Sequence, residues 1–151
     1  MAETTITSLM VQHHSVISGL LNKFKDAIAT GQSNVDDEFL HAERQIKEHW
    51  SIEESVIFDF SKTMDEKRTE IILHLMKEHQ IMTDMINTIK NGLMEKDYSA
   101  LPKLMEMMEK HASNEESVLY PGLDDVLPLD KKANMIKRIE ESSGELLTLK
   151  F

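Results

Sequence analysis

The chain of 151 residues contains no cysteine, which excludes disulfides, thiolate metal sites, iron–sulfur clusters and nucleophilic cysteine chemistry. Any site it carries must use nitrogen and oxygen groups. Proline and glycine are scarce, at three and five residues, and aromatics make up only 5%. A sheet needs turn residues and β-branched or aromatic strands, so this balance points to long helices instead. No apolar run approaches the roughly 18 residues of a membrane span. The first residues, Met1-Ala2-Glu3-Thr4-Thr5, lack the positive region and apolar stretch of a secretory signal, and the expected location is the cytoplasm. Basic residues are the minority, 17 Lys and Arg against 27 Asp and Glu, for a net charge of −10. Such a surface repels nucleic acid and anionic membrane, so neither is an expected partner.

What is present is Leu, Ile, Met, Lys and Glu in helical periodicity, enough for one domain over residues 1–151 with a single core. Breaker signals stand at Thr30 to Asn34, Ser61 to Asp65, Lys96 to Ser99 and Pro121-Gly122, and four long segments lie between them. Asn34 with Asp36, Asp37 and Glu38 reads as a cap and acidic first turn, and Thr63-x-x-Glu66 as a capping box. Pro102 suits a first helical turn. A shorter helix follows Asp130, with Ile136 and Ile139 on one side, and stops near Ser143-Gly144. The expectation is an all-α, antiparallel up-down-up-down four-helix bundle over about residues 8–125, with a short C-terminal fifth helix and tail over 126–151.

Stepping by threes and fours gives the face each segment turns inward. The stripes are Met10, His14, Ile17, Leu21, Phe24, Ile28; Phe39, Ala42, Ile46, His49, Glu53, Val56, Phe60; Ile72, Leu75, His79, Met82, Ile86, Ile89, Leu93; and Leu101, Leu104, Met108, His111, Glu115, Val118. Each is apolar except for one His, and in the second and fourth the next position is Glu. Counting from the turns at about 1.5 Å per residue brings the four His to similar depth. The chain also repeats itself: the segment from His49 to Phe58 matches that from His111 to Tyr120, and the segment from His14 matches that from His79. Two related hairpins each supply one lone His and one His-x-x-x-Glu pair.

Six polar groups in one small core need a compensating cation. An unpartnered buried carboxylate costs several kcal/mol, against a total domain stability of roughly 5–15 kcal/mol. No Lys or Arg occupies the stripes. A pair of metal ions would satisfy both carboxylates and all four imidazoles. Each metal would take two His nitrogens and two bridging Glu oxygens, leaving positions open for an oxo or hydroxo bridge and a small ligand. Imidazole and carboxylate suit iron, and also zinc or manganese.

The pattern His14, His49-x-x-x-Glu53, His79, His111-x-x-x-Glu115 resembles the hemerythrin-like (HHE cation-binding) family over about residues 8–125. The resemblance implies two non-haem iron ions bridged by Glu53 and Glu115, with His14 and His49 on one and His79 and His111 on the other. Oxygen-carrying relatives have a further His one turn away in the third helix. Here the positions four before and after His79 are Leu75 and Thr83, and His74 falls off the stripe. Two His per iron leave both irons open, which disfavours reversible oxygen carriage. The implied function is binding of or reaction with O2, NO or peroxide in sensing or iron handling. The alternative is a peroxidase-like or catalase-like oxidoreductase, or an iron-donating repair protein.

Among other candidates, the stripe and the repeat select His14 over its neighbour His13, and His41 is expected to face solvent. Glu54 and Glu116 are either acceptors for ligand imidazoles or solvated. Trp50 either lines a ligand pocket or packs between helices, and the eleven Met read as core filling. The Leu-rich tail after Gly144 is expected to fold back on the bundle; docking to a partner protein or compartment is the lesser alternative.

Overall fold

A computed structural model describes residues 3–151. Helix α1 (Ile6–Thr30) opens on a reciprocal capping box between Thr5 and Ser8 and ends at Gly31, whose φ of 66° is the left-handed conformation that closes a helix. Its first turn is also held by Asp124, which accepts from the Ile6 and Thr7 amides at 2.9 and 3.0 Å and from the Thr7 hydroxyl at 2.6 Å. A carboxylate is favoured there because helix N-terminal amides are unpaired and carry partial positive charge.

Helix α2 (Val35–Ile52) has the expected acidic first turn of Asp36, Asp37 and Glu38. It runs on through a π-helical turn (Glu53–Phe58) into the short α3 (Asp59–Ser61). Helix α4 (Glu66–Gly92) is capped by Asp65, which accepts from the Arg68 amide at 2.8 Å. The expected Thr63 cap is not formed; the Thr63 hydroxyl instead donates to the Phe60 carbonyl at 3.3 Å. Helix α5 (Leu101–Asn114), a second π-helical turn (Glu115–Leu119) and α6 (Tyr120–Val126) form one continuous rod. The break expected at Pro121-Gly122 does not occur. Pro121 falls in the first turn of α6, where the preceding π-turn has already displaced the hydrogen-bond ladder. The rod ends at Leu127, extended at ψ 137° before Pro128, as the pre-proline clash requires. Helix α7 (Leu129–Ser143) and α8 (Glu145–Thr148) follow, separated by Gly144 at φ 50°.

Neighbours in the all-α bundle are α1 with α2, α4 with α5, α2 with α4, and α1 with α6. Helix α7 crosses α1, α2 and the first π-turn, and α8 lies on α1 and α2. That cover explains why the buried face of α1 is wider than a single stripe: Leu9, His13, Val16 and Leu20 are buried beside Met10, Ile17, Leu21 and Phe24. The tail folds back, with Leu146 buried and the Phe151 ring seated over Gly19, which has no Cβ to obstruct it. Below the site, Phe24 packs against Phe39 and Tyr98 at 5.3 and 5.8 Å between ring centres. Glu43, buried on α2, is held by Lys47 at 3.0 Å and by Lys90 of α4 at 3.1 Å.

The two π-turns account for both failures of the inward stripes. A π-turn inserts one residue into a helix, so every later inward position moves on by one. Phe60 is 38% exposed and Ser61 is buried in its place; Val118 is 51% exposed and Leu119 is buried. The same slip after Glu53 and after Glu115 shows that the internal repeat extends to backbone irregularity.

Candidate metal centre

The four rods bring His14, His49, His79 and His111 to one level, and each π-turn begins at the Glu that completes the group. Two sets of donor atoms lie within 4.8 Å of one another and could hold a metal ion: His14, His49, Glu53 and Glu115, and Glu53, His79, His111 and Glu115. Both carboxylates belong to both sets. The inward atom is Nε2 in every imidazole: His14 Nε2 is 3.2 Å from Glu115 Oε1, His79 Nε2 3.0 Å from Glu53 Oε1, His111 Nε2 3.4 Å from Glu115 Oε2, and His49 Nε2 4.0 Å from Glu53 Oε2. His79 Nε2 and His111 Nε2 stand 3.0 Å apart, close enough to serve one ion.

The opposite ring nitrogens are engaged from behind. His14 Nδ1 donates to Glu116 at 2.6 Å, His79 Nδ1 to Glu54 at 3.2 Å, and His111 Nδ1 to Glu78 at 2.9 Å. A carboxylate only accepts, so these contacts place the proton on Nδ1 and turn the Nε2 lone pair inward. The indole of Trp50 lies on His79 at 4.7 Å, 23° from parallel, and the Phe58 ring lies 5.7 Å away, 20° from parallel. Buried Tyr120 donates its hydroxyl to Glu53.

Burial raises the Glu53 carboxyl well above its ordinary range, and the charge of Glu115 adds to the effect. Burial works the same way on Glu115 but loses to the adjacent Glu53 carboxyl and the nearby His111 and His14 imidazoles, which hold it well below that range. Burial opposes the charge of His14, yet Glu115 and Glu116 raise it to about 9. Burial, with the neighbouring imidazoles, lowers His49 and His79.

Among the sequence candidates, all six stripe groups meet. His74 does not; it is exposed, 3.6 Å from Glu78. Leu75 is buried and Thr83 donates to the His79 carbonyl, so among the described residues no fifth His reaches the group. His41 is a correction: it is half-buried, with Nε2 2.7 Å from Glu145 Oε2, because the C-terminal segment covers that face of α2. His13 does not reach the group either, but it is fully buried against His49. Sequence reasoning missed Tyr120, Glu78 and Ser143. The repeat held a signal for Tyr120, since it occupies the position of Phe58 and alone of the two carries a hydroxyl.

Two cavities reach the group. One of about 750 Å³, between α1 and α5, is lined by His14, His49 and His111 with Leu21, Met105 and Met108. The other, about 640 Å³ between α2 and α4, ends on His79 beside Trp50 and Glu54. Trp50 therefore both packs and lines pockets.

The chain belongs to the hemerythrin HHE cation-binding domain family, whose model matches residues 5–123. Comparisons with curated proteins and with solved structures find no match. The residues fit the cation that membership implies. Among the described residues no Lys or Arg side chain is buried. His14 Nε2, Glu53 Oε1 and both Glu115 oxygens are buried without a hydrogen-bond partner, all at the centre of the cluster. Stranded carboxylate oxygens of this kind cost about 1–3 kcal/mol each, more when charged, and a cation removes that cost.

Proposed function

We propose that the chain is a non-haem di-iron protein that binds or reacts with O2, NO or peroxide. Its ligands are His14, His49, Glu53, His79, His111 and Glu115. The observation that carries the reading is the set of unpartnered buried oxygens of Glu53 and Glu115 between two pairs of inward Nε2 atoms. Iron held there would supply ferrous–ferric electron transfer and open positions for a small ligand. Glu53 and Glu115, which belong to both donor sets, would hold both ions and balance their charge. Glu54, Glu78 and Glu116 orient three imidazoles and increase their basicity. Leu21, Met105 and Met108 give the entry cavity an apolar wall suited to uncharged diatomics.

A reactive centre is favoured over a reversible carrier by the even division of the donors: two His serve each position, and among the described residues no fifth His joins either set. A peroxide-reacting oxidoreductase is the second reading, favoured by Tyr120, whose hydroxyl beside Glu53 is a buried proton donor at the centre.

Elemental analysis of protein purified from iron-replete cells should find about two iron ions per chain. Near-ultraviolet bands of the oxidised protein should change on adding azide. Reduced protein mixed with air-saturated buffer in stopped flow should reoxidise within minutes and stay oxidised after O2 is removed. Zinc alone in the purified protein sinks the di-iron reading. A spectrum that reverts when O2 is withdrawn overturns the reactive reading and restores reversible oxygen binding.

A further inference from the structure

Three ligand imidazoles are backed by carboxylates, and the fourth is not. His49 Nδ1 lies 3.0 Å from His13 Nδ1, and His13 Nε2 lies 2.8 Å from the Ser143 hydroxyl on α7. Ser143 in turn donates to the Ile139 carbonyl one turn earlier. His13, His49 and Ser143 are all buried, so each hydrogen-bonding group must be satisfied within the chain.

These contacts permit one proton arrangement. The single Ser143 proton is committed to Ile139, so Ser143 can only accept, and His13 Nε2 must carry the hydrogen. If His49 is to present a lone pair at Nε2, its proton is on Nδ1, and His13 Nδ1 must then accept it. Protons therefore run in series from His49 to His13 to Ser143 to the Ile139 carbonyl. The final two members belong to the C-terminal helix, which lies outside residues 5–123 of the family match.

We propose that His13 and Ser143 are positioning residues that lock His49 in its metal-binding tautomer, and that this neutral relay makes the two metal positions unequal. The inference rests on the metal-binding reading above. The His79/His111 position is backed by two carboxylates, Glu54 and Glu78. The His14/His49 position has one, Glu116, and one neutral imidazole. A carboxylate acceptor draws the Nδ1 proton and makes Nε2 a stronger donor than a neutral acceptor does. The His79/His111 position is therefore the tighter and the more easily oxidised, and the C-terminal helix determines how well the other fills.

The test titrates metal-free full-length protein with ferrous or zinc ion and records long-range proton–nitrogen correlation spectra of the zinc form. Wild type should fill in two resolved steps, with His49 protonated at Nδ1 and bound through Nε2. His13→Leu, which keeps the volume but removes the acceptor, should weaken the second step about 10- to 100-fold and leave the first unchanged. His13→Gln restores an acceptor and a donor and should recover most of the loss. Ser143→Ala is the milder variant if His13→Leu unfolds, and should weaken the same step alone. Wild-type binding in both His13→Leu and Ser143→Ala, or His49 bound through Nδ1, overturns the proposal while leaving a two-metal site intact. Absence of metal binding by wild type overturns the underlying reading instead.

Discussion

Tyr120 and Glu53 are joined across the bundle by a buried hydrogen bond from phenol to carboxylate. Burial, reinforced by the charges of Glu115 and Glu53, raises the Tyr120 hydroxyl well above its ordinary value, so it remains a donor. The corresponding position in the other half of the repeat is Phe58, which stacks on His79. One half of the bundle thus uses its aromatic to pack His79, and the other to hold Glu53.

Tyr120→Phe imposes the Phe58 chemistry on both halves. It should preserve the fold, lower stability by about 1 kcal/mol through loss of a buried hydrogen bond, and loosen Glu53 so that metal dissociates faster. Thermal melting and competition with a chelator measure the two effects. An unchanged dissociation rate would remove Tyr120 from the centre.

Glu53→Gln and Glu115→Gln each replace a carboxylate oxygen, from a residue shared by both donor sets, at nearly constant volume. Both should reduce bound metal from about two per chain to one or none, whereas His74→Ala, at an exposed residue, should leave loading at wild-type level. Metal analysis after dialysis decides. Full occupancy in either Glu variant would show that the carboxylates are not bridges.

Trp50 is the only tryptophan of the chain and stacks on His79 at 4.7 Å, so its fluorescence reports on metal binding at the His/Glu cluster. Iron should quench most of the emission as the cluster fills, and zinc should change it far less. Emission that does not respond to iron would place the metal elsewhere.

Stability of the metal-free protein should pass through a maximum near pH 6.5. Burial lowers His13 to about 4 and also lowers His49 and His79. Below the unfolded value near 6.5 the unfolded chain therefore binds more protons, and stability rises with pH there. Burial opposes charge on His14 and His111 too, but their Glu partners raise both, His14 to about 9. Both contributions are complete below about pH 6.5 and are lost at higher pH, that of His14 as pH climbs through about 9. Metal needs these imidazoles deprotonated, so the gain in melting temperature on loading should widen from pH 6.5 to 9. Melts of both forms across that range test the sign; a gain that shrinks with pH contradicts it.

The inward groups of the centre were legible in the sequence because helix periodicity is a local property. His14, His49, His79 and His111 recur at the step of an apolar face, and Glu53 and Glu115 follow one turn later. Burial of a carboxylate without a Lys or Arg then demands a cation from elementary energetics. The π-turns were not legible, because a helix tolerates one extra residue only when tertiary contacts favour the shifted face, and nothing in the local pattern distinguishes Phe60 from Ser61 as the inward residue. The same limit hid the groups behind the ligands. Whether His13, one step from His14, faces water or the core depends on α7 lying across α1. Ser143 meets it from 130 positions away, and only folding brings such distant polar atoms within hydrogen-bonding reach.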